Sequence, residues 1–122
     1  MALSNGELFL RLLGNIKPIY KEELLNESYI NLYNAGKYWV AFEKSAYFLS
    51  LLIDKDADYE TIVLSFPNMP FPIICFTIDD RLKFALTSSH VVHNSSTNFL
   101  KIEVRFSSKL YPLWYKSMMS YQ

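Results

Sequence analysis

Glycine is scarce in this chain, and its distribution excludes more than any motif does. Gly6, Gly14 and Gly36 are the three present, and none follows residue 36. Phosphate-cradling loops, the dinucleotide fingerprint and the strained nucleophile turn of hydrolases need glycine for positive φ or close backbone approach. None of these can be written from the chain, which speaks against nucleotide-binding and α/β-hydrolase chemistry. Cysteine is nearly absent. Cys75 stands alone, which excludes an internal disulfide and any multi-cysteine zinc site. Net charge is absent too. Twelve Lys and Arg balance twelve Asp and Glu, so no overall field draws the chain toward nucleic acid or an anionic membrane, and neither is expected as a partner. The longest apolar candidate, Tyr38 to Ile53, is interrupted by Glu43 and Lys44 and falls short of a bilayer span. Residues Met1 to Glu7 lack the basic and apolar regions of a signal peptide. The expected location is cytoplasmic, where the sequons at Asn26 and Asn94 would stay unglycosylated.

What is present describes a folded domain. The chain has 122 residues, 51% of them hydrophobic and 20% charged, which suits a single domain spanning residues 1–122 with a core of its own. Its first half reads as helices. Leu8, Leu12 and Leu13 are spaced for a helix over residues 5–15, with Ser4 or Asn5 as cap and Glu7 in the first turn. A second helix enters at Pro18 and carries Leu25, Tyr29, Leu32 and Tyr33 on one face up to Asn34, with Gly36 as a left-handed stop. A break at Asn26-Glu27-Ser28 is the alternative, with those residues capping a new helix. Trp39, Phe42, Ala46, Leu49 and Ile53 then predict a buried central helix over residues 37–53.

The second half reads as a sheet. Residues 60–66, 72–79, 83–88 and 100–107 are the predicted strands, and Leu100, Ile102, Val104 and Phe106 show the clearest alternation. Residues 73–78 are apolar on nearly both faces, so that strand is placed centrally with Pro72 at its entry. Residues 89–99 form a long polar connection, and a short helix with Pro112 in its first turn closes the chain. The fold class is therefore α+β: N-terminal helices packed on one face of a four-stranded, mainly antiparallel sheet, with a short C-terminal helix.

Candidate sites are few. Asp54, Asp56 and Asp58 alternate like the start of a calcium loop, but Tyr59 stands where the sharp turn needs glycine and Ser65 where the bidentate glutamate belongs. A solvated connection is the better reading. His90 and His93 lie three apart, and Asp79 or Asp80 would be the nearest third ligand. No spacing specifies that ligand, so two loop histidines and no bound metal are expected. Asp79-Asp80-Arg81 suits a turn, and Cys75 sits in the most apolar strand as a small hydrophobe. No catalytic residue and no cofactor is expected.

Aromatic content is the feature with functional colour: nine Tyr, nine Phe and two Trp. Tyr111, Trp114, Tyr115, Met118, Met119 and Tyr121 crowd the C-terminus. They read as rim-of-core residues or as a binding face, with Trp114 in the core and Tyr115 and Met119 outside it. Lys109 and Lys116 make too thin a groove for single-stranded nucleic acid. The leading expectation is a non-enzymatic interaction domain, either a homodimer or a binder of a protein partner. The alternative is a small-ligand-binding protein or cofactor-free enzyme, with an aromatic-lined pocket between helices and a curved sheet.

Overall fold

A six-stranded antiparallel sheet with helices on both faces organises the chain. The structure, a computed structural model, describes residues 4–53 and 59–120. Two helices come first, α1 (Asn5–Gly14) and α2 (Ile16–Leu25), followed by the hairpin β1 (Tyr29–Ala35) and β2 (Tyr38–Phe42). Helix α3 (Glu43–Leu52) continues from β2 without a linker. Strands β3 (Tyr59–Leu64) and β4 (Ile73–Asp79), helix α4 (Asp80–Ser89), strands β5 (Val92–Ser95) and β6 (Phe99–Glu103), and helix α5 (Tyr111–Ser120) complete the described chain. In space the strands run β3-β4-β2-β1-β6-β5, every neighbouring pair antiparallel.

Alternating side chains divide the core in two. Ile30, Leu32, Trp39, Ala41, Ile74, Phe76, Leu100 and Ile102 point to a first face, covered by α3, α4 and α5. Ala35, Val40, Phe42, Ile73 and Cys75 point to a second face, covered by α1 and α2 through Leu12, Ile16 and Ile19. Burial on both faces explains why the central strands read as continuous apolar runs. In β4 residues 73–76 and Ile78 are all buried, and Pro72 immediately precedes the strand, as expected.

Several expectations are corrected. The sheet has six strands rather than four, and its helices divide between its faces. Residues 26–35 do not continue α2. Asn26 is a turn clamp, its Oδ1 accepting from the Tyr29 amide at 3.0 Å and its Nδ2 donating to the Tyr29 carbonyl at 2.7 Å, so the chain reverses into β1. Gly36 has the positive φ foreseen for it, 80°, but in the β1–β2 hairpin rather than at a helix end. Only glycine fits there, because a Cβ would collide with the Asn5 side chain.

The segment 37–53 is likewise strand and then helix. Its apolar residues fill positions on both faces of β2, so three-and-four spacing was satisfied by accident. Residues 83–88 are helical, not extended. Asp79 caps α4, its Oδ1 accepting from the Leu82 amide at 3.0 Å, and Leu82 and Leu86, one turn apart, meet the first-face core while Phe84 is left 68% exposed. The 89–99 connection holds β5, and residues 104–107 lie beyond β6, with the Val104 amide donating to the Ser28 carbonyl.

Strand β6 gives the plainest energetic test. Ile102 is fully buried whereas the neighbouring Glu103 side chain is 43% exposed. Ile102→Ala should cost about 2–4 kcal/mol by chemical denaturation, and Glu103→Ala under about 0.5 kcal/mol.

Candidate functional site

Two carboxylates are buried where β2 passes into α3. Glu23 is 1% exposed and Glu43 is 3% exposed, a rarity that requires partners. Glu23 falls on the buried stripe of α2 with Ile16 and Ile19. Its two oxygens accept four hydrogen bonds, from the Ser45 amide at 2.7 Å, the Ser45 hydroxyl at 2.7 Å, Asn31 Nδ2 at 2.9 Å and Asn26 Nδ2 at 3.2 Å. The Ser45 hydroxyl in turn accepts from the Asn31 amide at 2.9 Å. Burial raises the Glu23 pKa, and the donors from Asn31, Ser45 and Asn26 act against that rise.

The arrangement is a helix cap supplied from another helix. Phe42 holds the N-cap position of α3 and offers no side-chain hydrogen bond. Ser45 is the third residue of that helix, and its amide is one of the donors a helix leaves unpaired at its start. Glu23 takes it. A negative group beside the positive end of the helix dipole is also favourable.

Glu43 begins α3 with a φ of 49°, the only positive φ among the described non-glycine residues. That conformation costs roughly 1–2 kcal/mol for an L-residue, and it lets the chain turn from strand to helix with no connecting loop. The carboxylate accepts from the Ile74 amide at 3.3 Å and shares a hydrogen bond with the Tyr111 hydroxyl. Burial pushes its pKa from the ordinary 4.5 up to about 7; the Ile74 and Tyr111 bonds oppose the rise and the charge of Glu23 adds to it. The groups around it feel it in turn. Burial first and Glu43 second raise the pKa of Tyr20, Tyr111, Tyr115 and Cys75, the thiol reaching about 12. Tyr20 comes from α2 and Tyr111 and Tyr115 from α5, so phenols from both helical layers converge on one end of the sheet. Strained backbone together with a carboxyl poised near neutrality is the combination that concentrates at functional sites.

The residues singled out from sequence lie elsewhere. Asp54, Asp56 and Asp58 are outside the described residues, as is Tyr121. Asp79 is the α4 cap, and Asp80 accepts from the Trp39 indole at 3.0 Å. His90 ends α4, its Nδ1 within 3.1 Å of the Leu86 carbonyl and 2.9 Å of the Ser89 hydroxyl. His93 sits in β5, 3.5 Å from Glu103 and edge-on to Tyr29. Among the described residues no group of three His, Cys, Asp or Glu side chains could hold a metal ion, and no helix is long and apolar enough to cross a membrane.

Tyr111, Trp114, Tyr115, Met118 and Met119 are half-buried and packed against the first-face core. Spaced at one, four, five, eight and nine, they form one stripe, not the surplus their number suggested. The Tyr115 hydroxyl donates to the Pro72 carbonyl at 2.6 Å, and Trp114 lies within ring-contact range of Tyr47 and Phe76. Tyr115 and Met119 thus lie against the core instead of outside it.

Sequence reasoning missed both glutamates as site residues. Glu43 had a signal, a charge inside an apolar run, which was used only to reject a membrane span. Glu23 had a fainter one in its spacing from Ile16 and Ile19. Comparison with known proteins adds no further guide: the chain matches no family model, no curated protein and no solved structure.

Stability should fall as pH rises. The folded pKa of Glu43 lies above its unfolded value, so the folded chain holds more protons between about 4.5 and about 7. Its contribution is fully present below about 4.5, is lost as pH climbs through 7 and is level beyond. The total is roughly 3 kcal/mol. Glu43→Gln, which keeps an acceptor for Ile74, should reduce that decline in denaturation curves collected from pH 4 to 8, the raised pKa of Glu23 leaving a decline of the same sign, and an unchanged slope would refute the assignment. Glu23→Ala should instead cost about 2–4 kcal/mol at the acid end of that range, since the Ser45 amide and Asn31 Nδ2 lose their buried acceptor.

Proposed function

We propose that the chain is a non-enzymatic interaction domain that works by self-association or by binding a protein partner. The carrying observation is the outer side of α5. Leu110 just before the helix and Leu113 within it are 58% and 65% exposed, contributing little to the monomer's core. Leu113 lies on the side of α5 turned away from the inward stripe of Tyr111, Trp114 and Tyr115, so the two leucines present exposed apolar surface of their own. Exposed large aliphatic groups on an otherwise polar helix face mark an interaction surface. Lys116, Ser117 and Ser120 supply the exposed polar margin, and the neutral chain carries no overall field favouring nucleic acid.

A second reading draws support from Glu43. A buried carboxyl with a pKa near 7, bonded to the Tyr111 phenol, has the chemistry of an acid–base or small-ligand site that needs no cofactor. Thermal-shift screening at pH 7 distinguishes it: a small molecule that raises the midpoint of the wild type but not of Glu43→Gln would favour this reading.

The interaction reading is tested at α5. The double variant Leu110→Ser, Leu113→Ser should keep its thermal midpoint within about 2 °C, because exposed substitutions cost little. Association, measured by light scattering for self-pairing and by quantitative pull-down with mass spectrometry for a partner, should weaken at least about tenfold. Binding unaffected by both serines would refute the α5 surface.

A further inference from the structure

We propose that β3 is a docking edge for a second copy of this chain, the two β3 strands pairing antiparallel to form one continuous sheet. This deepens the self-association half of the reading above but uses a different surface from α5. The observation behind it is an asymmetry between the two ends of the sheet. At one end β5 is four residues long, polar, and broken by a bulge between Val92 and Asn94. Shortness and bulges are devices that blunt an edge against pairing. At the other end β3 pairs with β4 in unbroken register over all six of its residues, from Tyr59 opposite Ile78 to Leu64 opposite Ile73. Among the described residues nothing pairs with its outer edge. The strand contains no proline, no lysine and no bulge, and reads Tyr-Glu-Thr-Ile-Val-Leu.

Its sequence is also its own antiparallel complement. With Ile62 opposite Ile62 of the second copy, Thr61 faces Val63 and Glu60 faces Leu64. Cross-strand pairs of β-branched residues are favourable, and the two Glu60 carboxylates sit at opposite ends of the ladder, never across from each other. Residues opposed in an antiparallel pair share a face, so the second copy's Leu64 arrives beside Glu60 and Ile62. Those two residues line an open groove of about 290 Å³ on the second face, whose other walls include Phe9, Val40 and Thr77. The groove lies where α1 leaves the sheet uncovered, and it gives the incoming leucine apolar surface to meet. A two-fold axis through Ile62 makes each copy fill the other's groove, closing the assembly at two.

The test is sedimentation and light scattering up to about millimolar concentration, with amide exchange across β3. Wild type should rise from 14.3 kDa toward twice that mass, and β3 amides should exchange about tenfold more slowly in the concentrated sample. Thr61→Lys, at an exposed position, should lose the concentration-dependent slowing of β3 exchange and the mass increase that accompanies it, with an unchanged thermal midpoint in dilute solution. Ile62→Cys should cross-link to itself under mild oxidation, whereas Glu60→Cys should not. A strict monomer at the highest concentration overturns the proposal. So does a dimer undiminished by Thr61→Lys, or mass doubling with unaltered β3 exchange. Protection of β3 that appears only on adding a different protein overturns the choice of a second copy as occupant. The Leu110→Ser, Leu113→Ser chain should keep the β3-specific signals, the Ile62→Cys cross-link and the slowed β3 exchange, whatever becomes of association through α5, so failure of either reading shows independently.

Discussion

Helix α3 has no cap of its own, and the carboxylate of Glu23 supplies one. Much of the architecture depends on that single substitution of one helix's side chain for another's missing cap. Because β2 runs directly into α3, the position that a serine or aspartate would normally hold is Phe42, committed to the second-face core. The exposed alternative, capping by water, is closed by burial. Glu23 therefore fixes where α2 lies, and through Ser45 and Asn31 it also closes the ladder end that β2 leaves when it becomes helix. The β1–β2 pairing covers Tyr33 to Ala35; beyond it the Asn31 amide turns to Ser45 instead of to a strand. One buried polar network thus joins two helices and the first hairpin, and every donor in it has an acceptor. Such a network confers geometry only when complete, since each unpaired member would cost more than an apolar replacement.

The sequence disclosed the parts of the fold in which local pattern and tertiary role coincide. Strand β6 was legible because one of its faces is wet: Lys101 and Glu103 alternate with Leu100 and Ile102. Helices α1 and α5 were legible for the same reason, together with the Ser4 cap, whose hydroxyl accepts from the Glu7 amide at 3.1 Å. The errors cluster where both faces are covered. Strands β1 and β2 lie in the middle of the sheet, so Tyr38 to Phe42 carries apolar residues at every spacing and imitates a helix as readily as a strand. In α4 the opposite happened. Phe84 and Leu86 suggested alternation, but Phe84 is exposed and the decisive residue was Asp79, read as a turn former when it was a helix cap. Period-two and period-3.6 patterns cannot be separated over six residues when only two or three apolar groups define them.

The site was less legible still, for a physical reason. A buried carboxylate leaves no mark in sequence, because what makes it buried is contributed by residues far along the chain. Glu43 meets Ile74 from β4 and Tyr111 from α5; Glu23 meets Ser45 and Asn31. The aromatic count was visible, but its meaning depended on which side of α5 faced the sheet. Once the stripe of Tyr111, Trp114 and Tyr115 is turned inward, the outward Leu110 and Leu113 become the exposed feature.

Glu23 and Glu43 share a helix terminus and nearly complete burial, yet their chemistry differs because their donors differ. Four N–H and O–H groups converge on Glu23, including a helix-terminal amide, and they offset part of the cost of charge in a dry place. Glu43 has one amide and one phenol, the field of a neighbouring carboxylate, and a backbone held in the left-handed region. It retains its proton to about neutrality because ionisation there would go poorly compensated. The two are mechanically joined through Ser45, two residues after Glu43. By holding the Ser45 amide, Glu23 anchors the first turn of α3, the turn that Glu43 enters with its positive φ. The carboxylate with four donors thus anchors the turn in which the one with two sits, so both burial costs are borne at a single helix start.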